Sequence, residues 1–315
     1  MNLEKIPALQ NQNVQITRER GRVDRVSFEW DSFEAFLEDE AKIAARDVTA
    51  ARCVKGMSRS WVGHSGGYEG VRDSIANGWP ELREELARMM EGIELELPVF
   101  PAMSEVRRRK RHFDDHGDSL HMDKVWRGDL EHAWTRMKKS PRITPNTKRV
   151  TLAFEIGAHC GVSNGEAMWR AALCVALADS LARAGRVFDI WIIHGTSAPF
   201  KTAGAPAEQM TAWMVKGTND PLNLDRLCSM VSISFLRTMG FMAYSAHTWE
   251  PNSHYGFPTH RGLPPTLQQR KDAGEVVIRI ARAFNKREML DEYKRCWEEV
   301  EAGIAAHQQK ETVAY

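Results

Sequence analysis

RVTLAFEIGAHCGVSNGEAMWRAALCVALADSLARAGRVFDIWII, residues 149–193, holds a strand, a helix and a second strand in one run. Apolar side chains fill nearly every position of VTLAFEI (150–156) and VFDIWII (187–193), as strands covered on both faces require. Between them Glu166–Ala184 carries a long helical pattern. Such a unit closes as a right-handed βαβ crossover.

The alternation continues downstream. TAWMVKG (211–217) reads as a strand, Leu222–Thr238 as a helix, FMAYSA (241–246) and VVIRIARAF (276–284) as strands, and Lys286–Ala302 as a closing helix. The expected fold over 148–305 is therefore α/β: a Rossmann-like, mainly parallel sheet with helices on both faces, followed by a tail at 306–315.

Upstream the pattern changes. Residues 1–25 are polar without a clear period and read as a flexible arm. Residues 26–103 read as a small, mostly helical unit. In it Phe28, Phe33, Phe36 and Leu37 fall near helical spacing, with Asp31 or Ser32 available as an N-cap. The turns GHSGG (63–67) and NGWP (77–80) each precede a helical pattern, the second with Pro80 in its first turn. His64 and Ser65 belong to the first of these turns; neither a G-x-S-x-G elbow nor a P-loop surrounds them. Residues 104–147 form a charged, Trp-bearing connector with one short helix around Leu130–Met137, and the domain boundary falls near Pro145.

A chain of 315 residues suggests two folding units. Its 43 Lys and Arg nearly cancel 42 Asp and Glu, so phosphate binding by the surface as a whole is not implied. Five scattered cysteines without a C-x-x-C pair read as reduced thiols of a cytosol-like compartment. With neither a signal-peptide pattern nor an apolar run of bilayer length, the expectation is a cytoplasmic protein that does not enter membranes.

Residues 149–193 resemble the opening β-α-β of a von Willebrand factor A domain. That family places a D-x-S-x-S motif at the end of its first strand, where the Asp and Ser oxygens hold a Mg²⁺ that grips an acidic group on a partner. The aligned positions here are Glu155, Gly157 and His159, a degenerate metal motif without either serine. The resemblance thus implies the fold without its metal site, and Glu155 reads as a capping or ion-pairing carboxylate. From about Phe28 to the last helix, the layout also resembles proteins of bacteriophages, prophages and actinobacterial plasmids. It shares with them GWPE, the basic run before HGDSLHMDKVWRGDLEHAW, and the WR-x-A helix. That likeness implies a mobile-element origin, with the protein in the cytoplasm of a bacterial host or associated with a virion.

Three other groups of residues bear on function. His112, Asp114, His116 and Asp118 alternate, so an extended backbone would set four metal-competent side chains on one side. The basic run Arg107, Arg108, Arg109, Lys110 and Arg111 precedes them and suits nucleic-acid phosphates, although the acids that follow reduce its field. Trp126 and Trp134 in the connector, with His254 and Tyr255 in the long loop HTWEPNSHYGFPTHRGLPP (247–265), suit contact with a protein partner. The expectation is a non-enzymatic interaction or assembly protein without a cofactor. Its partner would be another protein of a phage- or plasmid-encoded assembly. The alternative is a metal-dependent enzyme or binding protein using one divalent ion and acting on nucleic acid through 107–123.

Overall fold

The computed structural model describes residues 13–19, 22–46, 52, 54–91, 93, 111–114, 119–120, 124, 134–137, 149–158, 161–184, 186–197, 208–245, 262–280 and 283–313. A six-stranded sheet organises them. In chain order its strands are β1 (Asn13–Glu19), β2 (Arg22–Trp30), β6 (Val150–Glu155), β7 (Phe188–Ser197), β8 (Glu208–Lys216) and β9 (Val276–Ile280), and across the sheet they run β1-β2-β8-β7-β6-β9. A second, three-stranded sheet joins β3 (Arg111–Asp114), β5 (Trp134–Met137) and β4 (Ser119–Leu120), in that order.

The α/β class holds, and the sheet is mixed where a mainly parallel one was expected. β6 runs parallel to both β7 and β9, and β2 runs parallel to β8, but β7 with β8 and β1 with β2 are antiparallel. Connection length explains β8. Ser197 pairs with Glu208 across residues 198–207, and so short a link suits an antiparallel return better than a helical crossover. The parallel strands β6 and β7 are joined directly by a crossover helix, α5 (Asn164–Arg183), which starts at a capping box made by Ser163 and Glu166.

Three further segments differ from expectation. Asn13–Glu19 and the start of β2, Arg22–Arg25, occupy the stretch read as an arm; β1 is a polar edge strand whose period-two signal rests on Val14 and Ile16 alone. Trp134–Met137, expected as helix, is the central strand of the small sheet. Of FMAYSA, expected as a strand, Phe241–Ser245 is helical, because an apolar run of that length cannot by itself separate strand from buried helix. It continues a broken helical path: α6 (Leu224–Val231), α7 (Ile233–Phe235), a π-helical turn (Leu236–Gly240) and α8 (Phe241–Ser245).

One face of the large sheet carries the main core. Val26, Phe28, Trp30, Leu152, Phe154, Ile192, Trp213 and Ile278 point into it, beneath α1 (Phe33–Arg46), α2 (Arg59–Val62), α3 (Gly67–Asn77), α4 (Pro80–Glu91), α5, α6 and α10 (Lys286–Val313). Trp30 stacks on Trp213 with ring centroids 6.0 Å apart, and Phe36 meets both edge-on at 5.0 and 5.8 Å. The other face has a smaller cluster: Ala153, Trp191, Ile193, Ala212 and Val277 under Leu263 and Leu267, the latter on α9 (Pro265–Asp272). Helices thus lie on both faces, unevenly. Among the described residues, no helix is long and apolar enough to cross a membrane.

Candidate functional site at the carboxyl end of β6

Strand order reverses at β6, with β7 and β8 on one side and β9 on the other. In open α/β sheets, ligands bind outside the carboxyl ends of the strands at such a point. The residue there is Glu155.

Its carboxylate is buried and already engaged. The Gly157 N–H donates to Oε1 at 3.0 Å, and Arg279 Nη2 of β9 lies 3.4 Å from Oε2. His194 of β7, also buried, places Nδ1 3.7 Å from Oε1. Register explains the meeting. β9 pairs Arg279 with Ala153, two residues before Glu155 on the same face, while β7 pairs Ile193 with Glu155 and so sets His194 just beyond it.

Two further guanidinium groups secure the loop that leaves β6. Arg170, 1% exposed in the second turn of α5, donates to the Ile156 carbonyl at 2.6 Å and lies 5.5 Å from the Phe284 ring centroid. Arg237, in the π-helical turn, donates to the carbonyls of Val162 at 2.9 Å and Trp61 at 2.6 Å and stacks over Trp61. Asn164 adds a bond to the Gly63 carbonyl at 2.8 Å. The loop is therefore gripped at its start and at its end by cations from different elements.

These residues do not fit the Mg²⁺ that the von Willebrand resemblance brings to this position. A hard cation needs several free oxygens. Glu155 instead accepts an N–H and faces an arginine, and Gly157 has no side chain. Of the three arginines described here, Arg279, 28% exposed, is the one that reaches solvent most. Among the described residues, no group of three or more His, Cys, Asp or Glu side chains is placed to hold a metal ion.

Of the degenerate motif, the structure brings together Glu155 and Gly157; His159 lies outside the described residues. Arg107, Arg108, Arg109, Lys110, His116, Asp118, Trp126, His254 and Tyr255 also lie outside them. Arg111, His112 and Asp114 fall on β3, whose backbone register pairs Asp114 with Trp134 and His112 with Arg136. Sequence reasoning missed His194, Arg279, Arg170 and Arg237. The first three had a signal in WIIHG, VVIRI and MWRAAL: a charged or titratable residue inside an apolar element, which burial obliges to find partners.

His64 serves its turn. Its Nε2 lies 3.0 Å from Ser74 Oγ, its Nδ1 accepts the Gly66 N–H at 2.9 Å, and its ring meets Trp79 edge-on at 4.3 Å. Burial lowers its pKa.

No curated protein and no solved structure matches the chain. A family model does match it over residues 12–302, from β1 into α10, and its description is a domain of unknown function, DUF7192. The large sheet, the site at β6 and the helices as far as the middle of α10 fall within that span, so the chain belongs to the DUF7192 family.

Proposed function

We propose that this is a non-enzymatic interaction or assembly protein, built on a von Willebrand factor A-like domain and binding a protein partner at the carboxyl end of β6. The observation that carries the reading is Arg279, a partly exposed cation beside the buried Glu155 at the point of strand reversal. Where the resembled family uses a metal ion to grip an acidic group, this chain offers a guanidinium, which binds a carboxylate directly and in two-pronged geometry. Trp126, Trp134, His254 and Tyr255 remain proposed contacts for the same partner. The likeness to phage and plasmid proteins supports a mobile-element origin and a place in the bacterial cytoplasm or a virion.

The test is capture of partners by the tagged full chain from a lysate of its source, read by cross-linking and mass spectrometry, beside an Arg279→Gln variant with an unchanged circular dichroism spectrum. Expected is a partner cross-linked near β6 through its acidic residues and lost from the variant. Equal capture by both proteins would defeat the assignment of Arg279.

A second reading, a metal-dependent protein acting on nucleic acid, draws support from one observation. The backbone at 111–114 is extended, as the alternation of His112 and Asp114 requires. Elemental analysis separates the two. Stoichiometric zinc or manganese, lost on changing His112 and His116 together to Ala, would favour the second.

A further inference from the structure

Glu29 of β2 is 1% exposed and lies on the sparsely covered face of the sheet. In register it shares a row with Ala212, Ile193 and Glu155, three strands away. Its Oε1 accepts the Ser27 hydroxyl at 2.9 Å and, at 3.5 Å, the N–H of Thr266 in the first turn of α9. Gln15 of β1 donates to Thr266 Oγ1 at 2.8 Å. α9 begins after Pro264 and has no side-chain cap of its own. The first turn of a helix presents unpaired N–H groups and a partial positive charge, and here a carboxyl from a strand some 240 residues earlier in the chain answers one of them.

The other oxygen is different. Glu29 Oε2 is buried and has no hydrogen-bond partner among the described residues. Among the described residues no cationic side chain offsets its charge, and the partial positive charge of the first turn of α9 acts at Oε1. Met210, Ala212 and Met214 of β8 share its face by register, Gln15 is neutral, and the charged Arg270 of α9 turns away to Asp189 and Glu275. Asp31, on the same chain segment, adds repulsion. Burial raises the Glu29 pKa, and the bonds from Thr266 and Ser27 only partly offset it. A protonated carboxyl keeps Oε1 as an acceptor for both donors and places its hydrogen on Oε2, whereas an ionised one leaves bare charge on Oε2 in an apolar setting.

We infer that Glu29, Ser27, Thr266 and Gln15 form a proton-controlled latch between the β1–β2 hairpin and α9, closed while Glu29 holds a proton and loosened when it ionises. The latch acts on more than its own joint. α9 packs Leu267 on the smaller core and runs directly into β9, which carries Arg279 to the carboxyl end of β6.

The sign follows from linkage. A carboxyl whose folded pKa is raised contributes stability in full below its unfolded value, and loses it as pH rises through the folded value. Hydrogen exchange of the full chain, measured from about pH 5 to about pH 8 and corrected for intrinsic rates, reads the latch through peptides covering 263–275. Expected is protection of α9 that falls several-fold as pH rises in the native protein and stays level in Glu29→Gln. In Asp31→Asn, which removes a repulsion that favours the proton, the fall should move to lower pH. This second variant keeps the question open to experiment if Glu29→Gln fails to fold. Level protection in the native protein, or an Asp31→Asn profile superimposed on it, would overturn the latch. So would a folded Glu29→Gln protein whose α9 exchanges faster than the native one at every pH, since the ionised carboxylate would then be what holds the helix.

Discussion

Asp189 shows how a fully buried charge is kept in this fold. Its carboxylate accepts bonds from Arg149 at 2.8 Å, Arg270 at 2.9 Å, Thr151 at 2.7 Å and the Trp191 indole at 2.9 Å. Burial alone would raise its pKa; the bonds from Arg270 and Thr151 outweigh that and hold it below the ordinary value. A lowered folded value means that the stabilisation is present above the unfolded pKa and is lost as pH falls through the folded one. Urea unfolding should therefore show stability declining in acid below about pH 4. Asp189→Asn should lose about 1–3 kcal/mol at neutral pH, since Arg270 would keep only Glu275 as its charge partner, and should flatten that acid limb. Gly70 presents the opposite problem, a lack of space. A Cβ added there would come within 2.4 Å of the His64 ring, so Gly70→Ala should cost about 1–3 kcal/mol in thermal melts, and Gly70→Ala with His64→Ala should recover part of it.

α5 depends on a local device. Ser163 Oγ accepts the Glu166 N–H, and Glu166 returns a bond to the Ser163 N–H at 2.8 Å, so Ser163→Ala should cost about 1 kcal/mol, seen as a lower Tm with an unchanged fold. This helix and its flanking strands were legible in the sequence because each pattern there has one reading: strands apolar on both faces, and a helix of 20 residues. The direction of β8 was not legible, since TAWMVKG looks the same whichever way it pairs. β1 was hidden by its polar composition, since Val14 and Ile16 alone mark a period of two. At the site, Glu155 could be found from its place at a strand end. His194 and Arg279 could not be joined to it, because their meeting depends on the register of three strands far apart in the chain.

The main core extends from Val26 to Val300, and the large sheet places β2 between β1 and β8. A chain beginning at residue 147 would leave Trp213 and Phe235 without Trp30, Phe33 and Phe36. We expect the full protein to unfold in one transition and the shortened chain to melt broadly and bind a hydrophobic dye. A sharp melt of the shortened chain would establish 148–305 as an independent domain. The pairing of β2 with β8 also sets a timetable for synthesis. Residues 25–30 leave the ribosome early, yet their parallel partners 208–213 follow roughly 180 residues later, about ten to forty seconds at ordinary rates of translation. Throughout that interval Trp30 can meet Phe36 but lacks Trp213, and β2 lacks the strand it pairs with, so the nascent chain carries an open apolar edge that a chaperone, or a slower competing association, must spare.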